Sequence, residues 1–156
     1  MNRIEHLKKR INAIIESLHD EGIRSKAYIH SYGVAQAAAL LAVKRGLNPE
    51  LASIAGILHD IYAYQTGSYE NHDEKGAELA REILTDMDLF SSDEIEIVSS
   101  AIFHHDDRQG THSLYDEILK DADILQPYFY QLIEPVSLPA KKRLSGMFME
   151  LNLKDV

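Results

Sequence analysis

The sequence predicts an all-α fold, a single compact domain of about six to eight helices. Three observations carry that expectation. Apolar residues recur at steps of three and four through most of the 156 residues, the spacing of one face of an α-helix. No stretch alternates apolar and polar residues with the period of two that a half-buried strand needs. Ser, Asn, Gly and Pro punctuate the chain where helices of ordinary length would start and stop. The length suits one hydrophobic core, and no repeat, low-complexity stretch or linker divides it, so the domain is expected to span 1–156.

The elements follow in order. Ile4, Leu7, Ile11, Ile14 and Leu18 make one apolar face of a first helix within 1–22 that ends near Gly22. The same stripe could serve as a seam between two copies, so a homodimer is an alternative use for it. Ser25 can cap a second helix that runs through AQAAALLAVKR and stops at Gly46. Asn48 followed by Pro49 starts a third, strongly apolar helix, ELASIAGILHDIYAY, expected to be central and to reach about Tyr64. QTGSYEN then breaks the pattern before HDEKGAELAREIL resumes it with Gly76, Ala77, Ala80 and Leu84 inward. A fifth helix begins around Ser92, with Asp93 and Glu94 suiting its dipole, and places Ile95, Val98, Ile102 and His105 on one face. After the polar loop DDRQGTH, Ser113 caps a sixth helix through Gln126, and Pro127 is expected to break it. Residues 128–153 read as one or two further helices around Pro135 and Pro139.

Composition narrows the function classes. The formal net charge of −9 argues against an electrostatic grip on a nucleic-acid polymer or an anionic membrane. No segment resembles a signal peptide or a membrane span, so a cytoplasmic location is expected. Cysteine is absent, which excludes disulfides, thiol nucleophiles and Cys-based zinc sites and leaves His, Asp and Glu for any metal. Eight histidines in so short a chain are the compositional oddity.

Ionisable residues on apolar helical faces cost free energy unless a partner or an ion compensates. His30 sits one turn before Val34 and two before Ala38, on the inward face of the second helix. His59 and Asp60 end the apolar run IAGILHD, about 100° apart on the helix, able to flank one ion. His72 opens the fourth helix, where the dipole disfavours imidazolium and keeps the ring neutral, as a ligand must be. His104 and His105 close the fifth, and Asp121 and Asp123 lie late in the sixth. Singly, each is an ordinary surface or core residue. Together they offer nitrogen and oxygen ligands from separated helices of a closed bundle.

These residues resemble the HD-domain metal-dependent phosphohydrolases. HSYGVAQAAALLA, with His30, is similar to that family's first element; AGILHDI, with His59 and Asp60, to its His-Asp doublet; and DADIL, with Asp123, to its last. HDEKGAELAREIL with His72 and AIFHHDD with His104 and His105 are similar to the additional histidines of members that hold two or more metals. The resemblance covers roughly 25–127, with the first helix and residues 128–153 packed on that core. Helical periodicity places Asp121 nearer the apolar face than Asp123, whereas the resemblance favours Asp123.

The resemblance implies an HD-type fold and one or two divalent ions (Fe, Mn, Ni, Co, Zn or Mg), with several imidazoles favouring transition metals over Mg²⁺. His30, His59, Asp60 and Asp123 would hold one ion; His72 with His104, His105 or both would hold a second, bridged through Asp60. Asp60 would orient a metal-activated water that hydrolyses a phosphomonoester or phosphoanhydride, the substrate being a small phosphorylated molecule such as a nucleotide. Lys26, Arg108 and Lys120 are the candidates for holding phosphate. Two features depart from the family's multi-metal members. Ile61-Tyr62-Ala63 stands where some continue Ile-Gly-Lys, and the loop after His105 lacks Gly-Tyr-Pro, which removes the main reason to expect a cyclic dinucleotide. Rival readings are a non-catalytic metal- or nucleotide-sensing module, a di-iron oxygenase on the same fold, and a purely structural helical domain.

Overall fold

The computed structural model describes residues 2–154, and every regular element among them is a helix. In chain order these are α1 (Arg3–Glu16), α2 (Glu21–Lys44), α3 (Pro49–Leu58), α4 (Ile61–Thr66), α5 (His72–Met87), α6 (Ser92–His104), α7 (Leu114–Gln131) and α8 (Leu138–Glu150). None is long and apolar enough to cross a membrane.

Four boundaries differ from the sequence expectation, each for a local reason. α1 stops at Glu16, and α2 starts at Glu21 because Asp20 caps it, its carboxylate accepting the Ile23 N–H at 2.8 Å. Ser25 is therefore interior to α2. The expected third helix is two, α3 and α4, separated at His59 and Asp60, where the Asp60 backbone leaves the helical region (φ −108°, ψ 4°). α7 passes through Pro127 to Gln131 instead of stopping before it. A proline there removes only the bond to the carbonyl of residue 123, on the flank of α7 that faces a cleft lined by Asp123 and Pro127 themselves.

α3 is the centre of the core. Ile54, Ile57 and Leu58 are buried, and α3 packs against α1, α2, α6 and α7. Its closest approach is to α2 at Gly56, where a Cβ would lie 2.7 Å from the backbone Cα and N of Ala35. Glycine at 56 and small residues along α2 are what let the two backbones touch. On α1, Leu7, Ile11 and Ile15 are buried within this same core, and Ile4, Ile14 and Leu18 pack half-buried against it.

α7 is fixed from behind by ion pairs. Asp121 accepts from Arg45 Nη2 at 2.7 Å and from Arg143 Nη1 at 2.9 Å, joining α7 to the end of α2 and to α8. Arg45 and Arg143 also bind Glu150 and Glu117. Two residues further on, about 200° around the helix, Asp123 points to the opposite side.

Candidate metal centre

The break between α3 and α4 aims a carboxylate inward. Asp60 occupies the N-cap position of α4, where an aspartate ordinarily bonds the first-turn amides, but its side chain makes no capping bond. Its two oxygens instead face two sets of imidazoles. Oδ2 lies 3.7 Å from His30 Nε2 and 3.5 Å from His59 Nε2. Oδ1 lies 3.5 Å from His72 Nε2 and 3.8 Å from His105 Nε2. Asp123 completes the first set, its Oδ1 3.0 Å from His30 Nε2 and 3.4 Å from His59 Nε2.

All four rings are oriented in one way. His59 Nδ1 donates to Gly56 O at 2.8 Å, His72 Nδ1 to Tyr69 O at 2.9 Å and His105 Nδ1 to Ile102 O at 2.6 Å, each to a carbonyl three residues earlier. For His59 and His105 these carbonyls belong to the last turns of α3 and α6, so the end of each helix aims a ring. His30 Nδ1 donates to Gln126 Oε1 at 2.8 Å. With Nδ1 committed as donor, each ring turns its Nε2 into the same space, where it offers a lone pair whenever it carries no second proton. His30 Nε2 and His59 Nε2 are 3.2 Å apart, as are His72 Nε2 and His105 Nε2. Lone pairs at that separation repel unless a cation or a proton lies among them, and fixed imidazoles backed by carbonyls are the usual support of metal ligands. The donor set therefore fits divalent ions: His30, His59 and Asp60, with Asp123 beside them, around one position, and Asp60, His72 and His105 around another, while His59, His105 and Asp123 also lie close enough to share an ion.

The electrostatics agree. Burial works against charge on His59, but the carboxylates of Asp60 and Asp123 outweigh it and push its pKa up to about 9. Burial, then the charge of His59, pulls His105 down and keeps it neutral. Asp123 is held well below the usual carboxylate range despite burial, by hydrogen bonds from His30 and His59 and by the charges of His59 and Arg108. In the metal-free cluster a proton thus takes the place of positive charge.

The cluster opens into a cleft of about 730 Å³ lined by Lys26, Tyr69, Arg108 and Gln126 besides the ligand set. Arg108 binds Asp123 Oδ2 through Nη2, while its buried Nε has no partner. Lys26 stands at the rim, its ammonium 5.4 Å from the centre of the Tyr69 ring.

Three sequence candidates lie elsewhere. His104 turns away from the cluster: its Nδ1 pairs with Asp116 Oδ2 at 2.9 Å, and its ring stacks on His112 at 3.9 Å. One residue's rotation on α6 separates it from His105. Lys120 does not reach the cleft. It is fully buried and consumed by Glu117 at 2.8 Å, Gly110 O at 3.0 Å and His112 Nδ1 at 2.6 Å. Asp121 is the buried ion-pair residue described above, so of the two aspartates only Asp123 enters the cluster. Two residues that matter to the site were missed. Gln126, which holds His30, lies on the same flank of α7 as Asp123 one turn on, and that spacing was the available signal. Tyr64 is buried on α4 with a hydroxyl that has no partner, and burial followed by the charge of Asp60 raises its pKa.

The family comparison matches residues 27–128 to the HD domain. The chain is 36% identical over 97 residues to Ribonuclease Y from two strains of Thermus thermophilus, a stretch that covers 62% of this chain but only 15% of those proteins. The crystal structure of a predicted HD superfamily hydrolase from an uncultured Thermotogales bacterium superposes with a TM-score of 0.65 and 26% sequence identity, covering 97% of this chain and 94% of that one. The matched interval contains every histidine and aspartate of the cluster, and the likeness to the solved hydrolase extends over both flanks, so the chain belongs to the HD-domain family, the HD superfamily hydrolases.

Proposed function

We propose that this hydrolase acts on a phosphate ester or anhydride of a small molecule, a nucleotide being the leading class, with divalent metal at the cluster. The observation that carries the reading is Asp60, whose two oxygens face two separate imidazole sets. A divalent ion bound there supplies a Lewis acid for phosphate oxygens and lowers the pKa of nearby water.

The chain's own groups supply the rest. In this reading Asp60, a ligand to both positions, orients the attacking water. The Arg108 guanidinium, anchored on Asp123 with Nε unpartnered, and the Lys26 ammonium at the rim are placed to hold phosphate oxygens. Water adds at phosphorus as the bond to the leaving oxygen breaks, and the proton lost by the water passes through solvent to the leaving oxygen. Ribonuclease activity belongs to the two relatives by name; for this chain, the charge of −9 works against holding an RNA backbone. A cytoplasmic enzyme is part of the same reading.

The test is hydrolysis of a panel of nucleotides, an aryl phosphate and a short RNA by protein loaded in turn with Mn²⁺, Fe²⁺, Ni²⁺, Co²⁺, Zn²⁺ and Mg²⁺. Release of phosphate from small esters, lost on chelation, supports the reading. Tight metal binding with no turnover would assign the chain to a sensing role, and metal-dependent O₂ consumption would assign it to oxygenase chemistry.

A further inference from the structure

A second concavity adjoins the metal-centre cleft and is used by nothing described so far. It is a groove of about 850 Å³ between the outer face of α2 and the end of α7. Tyr28 and Tyr32, whose rings stack 16° from parallel, line it from α2, and Phe129 and Tyr130 from α7. The side chain of Gln36 adds an amide group, and among the described residues no Asp, Glu, Lys, Arg or His lines the groove. Phe129 and Tyr130 are more than half exposed, as is Leu40 beside them, so the groove's apolar walls are open to a ligand.

The groove and the cleft share a wall. Ile29, Gln126 and Tyr130 line both. Gln126 is the partition: its Oε1 holds His30 on one side, and its stem forms groove wall on the other. Gly33 makes room for it, since a Cβ at 33 would lie 2.6 Å from Gln126 Cγ.

The two halves differ in chemistry. The cleft offers cations and metal ligands, suited to phosphate. The groove offers aromatic faces for stacking and the Gln36 amide for the polar edge of a ring, with no cation among the described lining residues to neutralise a second phosphate. Its volume falls within the range of small-molecule pockets. We infer that the groove receives the uncharged aromatic part of the substrate, and that the substrate is a nucleoside monophosphate rather than a polyphosphate or dinucleotide. This inference rests on the phosphohydrolase reading and sharpens it.

The experiment compares kcat/KM of the Mn²⁺-loaded protein for nucleoside monophosphates, methyl phosphate and a long-chain alkyl phosphate, in the wild type and in Leu40→Glu and Ala37→Phe, which charge or fill the groove from exposed or half-exposed positions of α2. The expected wild-type preference for the nucleoside ester over methyl phosphate is about tenfold or more, and each variant should shrink that ratio by about tenfold. Hydrolysis of methyl phosphate with no such preference, or a preference that both variants preserve, overturns the inference and leaves the phosphohydrolase reading standing. Preference for the alkyl phosphate assigns the groove to a lipid-like chain, and a dimer in sedimentation that Leu40→Glu dissociates assigns it to a second copy; either overturns the inference. No hydrolysis of any ester removes both readings together.

Discussion

His72 and His105 meet with their Nε2 atoms 3.2 Å apart while both Nδ1 atoms donate to backbone carbonyls. Two neutral rings held in this way present lone pair to lone pair, and Asp60 Oδ1 adds negative charge 3.5 Å from one and 3.8 Å from the other. A cation relieves all three. The expected outcome is that His72→Ala and His105→Ala each lower bound metal from two ions per chain to one, with circular dichroism unchanged. His104→Ala, whose ring pairs with Asp116 instead, keeps two. Elemental analysis after dialysis reads the difference, and an unchanged count in the first two variants would leave a mononuclear centre.

Asp60 is the one side chain shared by the two sets, so its removal acts on both. Asp60→Asn keeps the shape and one carbonyl oxygen while losing the charge that faces four imidazoles. Hydrolysis should fall to about 1% of wild type or lower, and both ions should bind more weakly in titration. A variant that retains full activity would place the chemistry elsewhere.

The sequence-to-structure comparison turns on which interactions are local. The face of α6 follows from spacing alone, which puts His105, not His104, with Ile95, Val98 and Ile102; on α1 spacing finds Leu7 and Ile11 but takes Ile14 where Ile15 is the buried residue. The split of α3 from α4 was hidden, because IAGILHDIYAY keeps helical spacing across it and the break serves the site rather than local propensity. Periodicity also correctly marked Asp121 as inward. What it could not supply was the reason, since its partners Arg45 and Arg143 are 76 and 22 residues away. Lys120 misled for the same reason: a lysine is normally a surface charge, and only the fold closes Glu117, His112 and a carbonyl around it.

Protonation and metal compete for the same nitrogen. Folding raises His59 from its ordinary 6.5 to about 9, so its proton stabilises the metal-free fold fully below pH 6.5, and that contribution is lost as pH rises through about 9. Asp123 has the opposite sign: its contribution is present above the usual carboxylate pKa and is lost as pH falls below it. In chelator, Tm should therefore fall between about pH 6.5 and 9. With Mn²⁺ replacing the proton, Tm should hold over that interval and metal affinity should rise with pH. Thermal denaturation at a series of pH values checks both signs, and a metal-free Tm that rises over the same interval would contradict the assignment of charge to His59.

Gly33 and Gln126 give the last prediction. Any Cβ at 33 intrudes on the Gln126 side chain, at 2.6 Å from Cγ and 2.9 Å from Nε2. Gln126 cannot yield without drawing Oε1 away from His30 Nδ1, now 2.8 Å distant, and a ring freed there can rotate or take the other tautomer. Gly33→Ala should thus act as Gln126→Leu does, weakening the ion held by His30, His59, Asp60 and Asp123 by about tenfold while sparing the one held by His72 and His105. Gln126→Glu, which keeps an acceptor facing His30, should restore binding relative to Gln126→Leu. Two-site metal titration separates the ions. Equal loss at both, or no loss in Gly33→Ala, would show that Gln126 does not position His30.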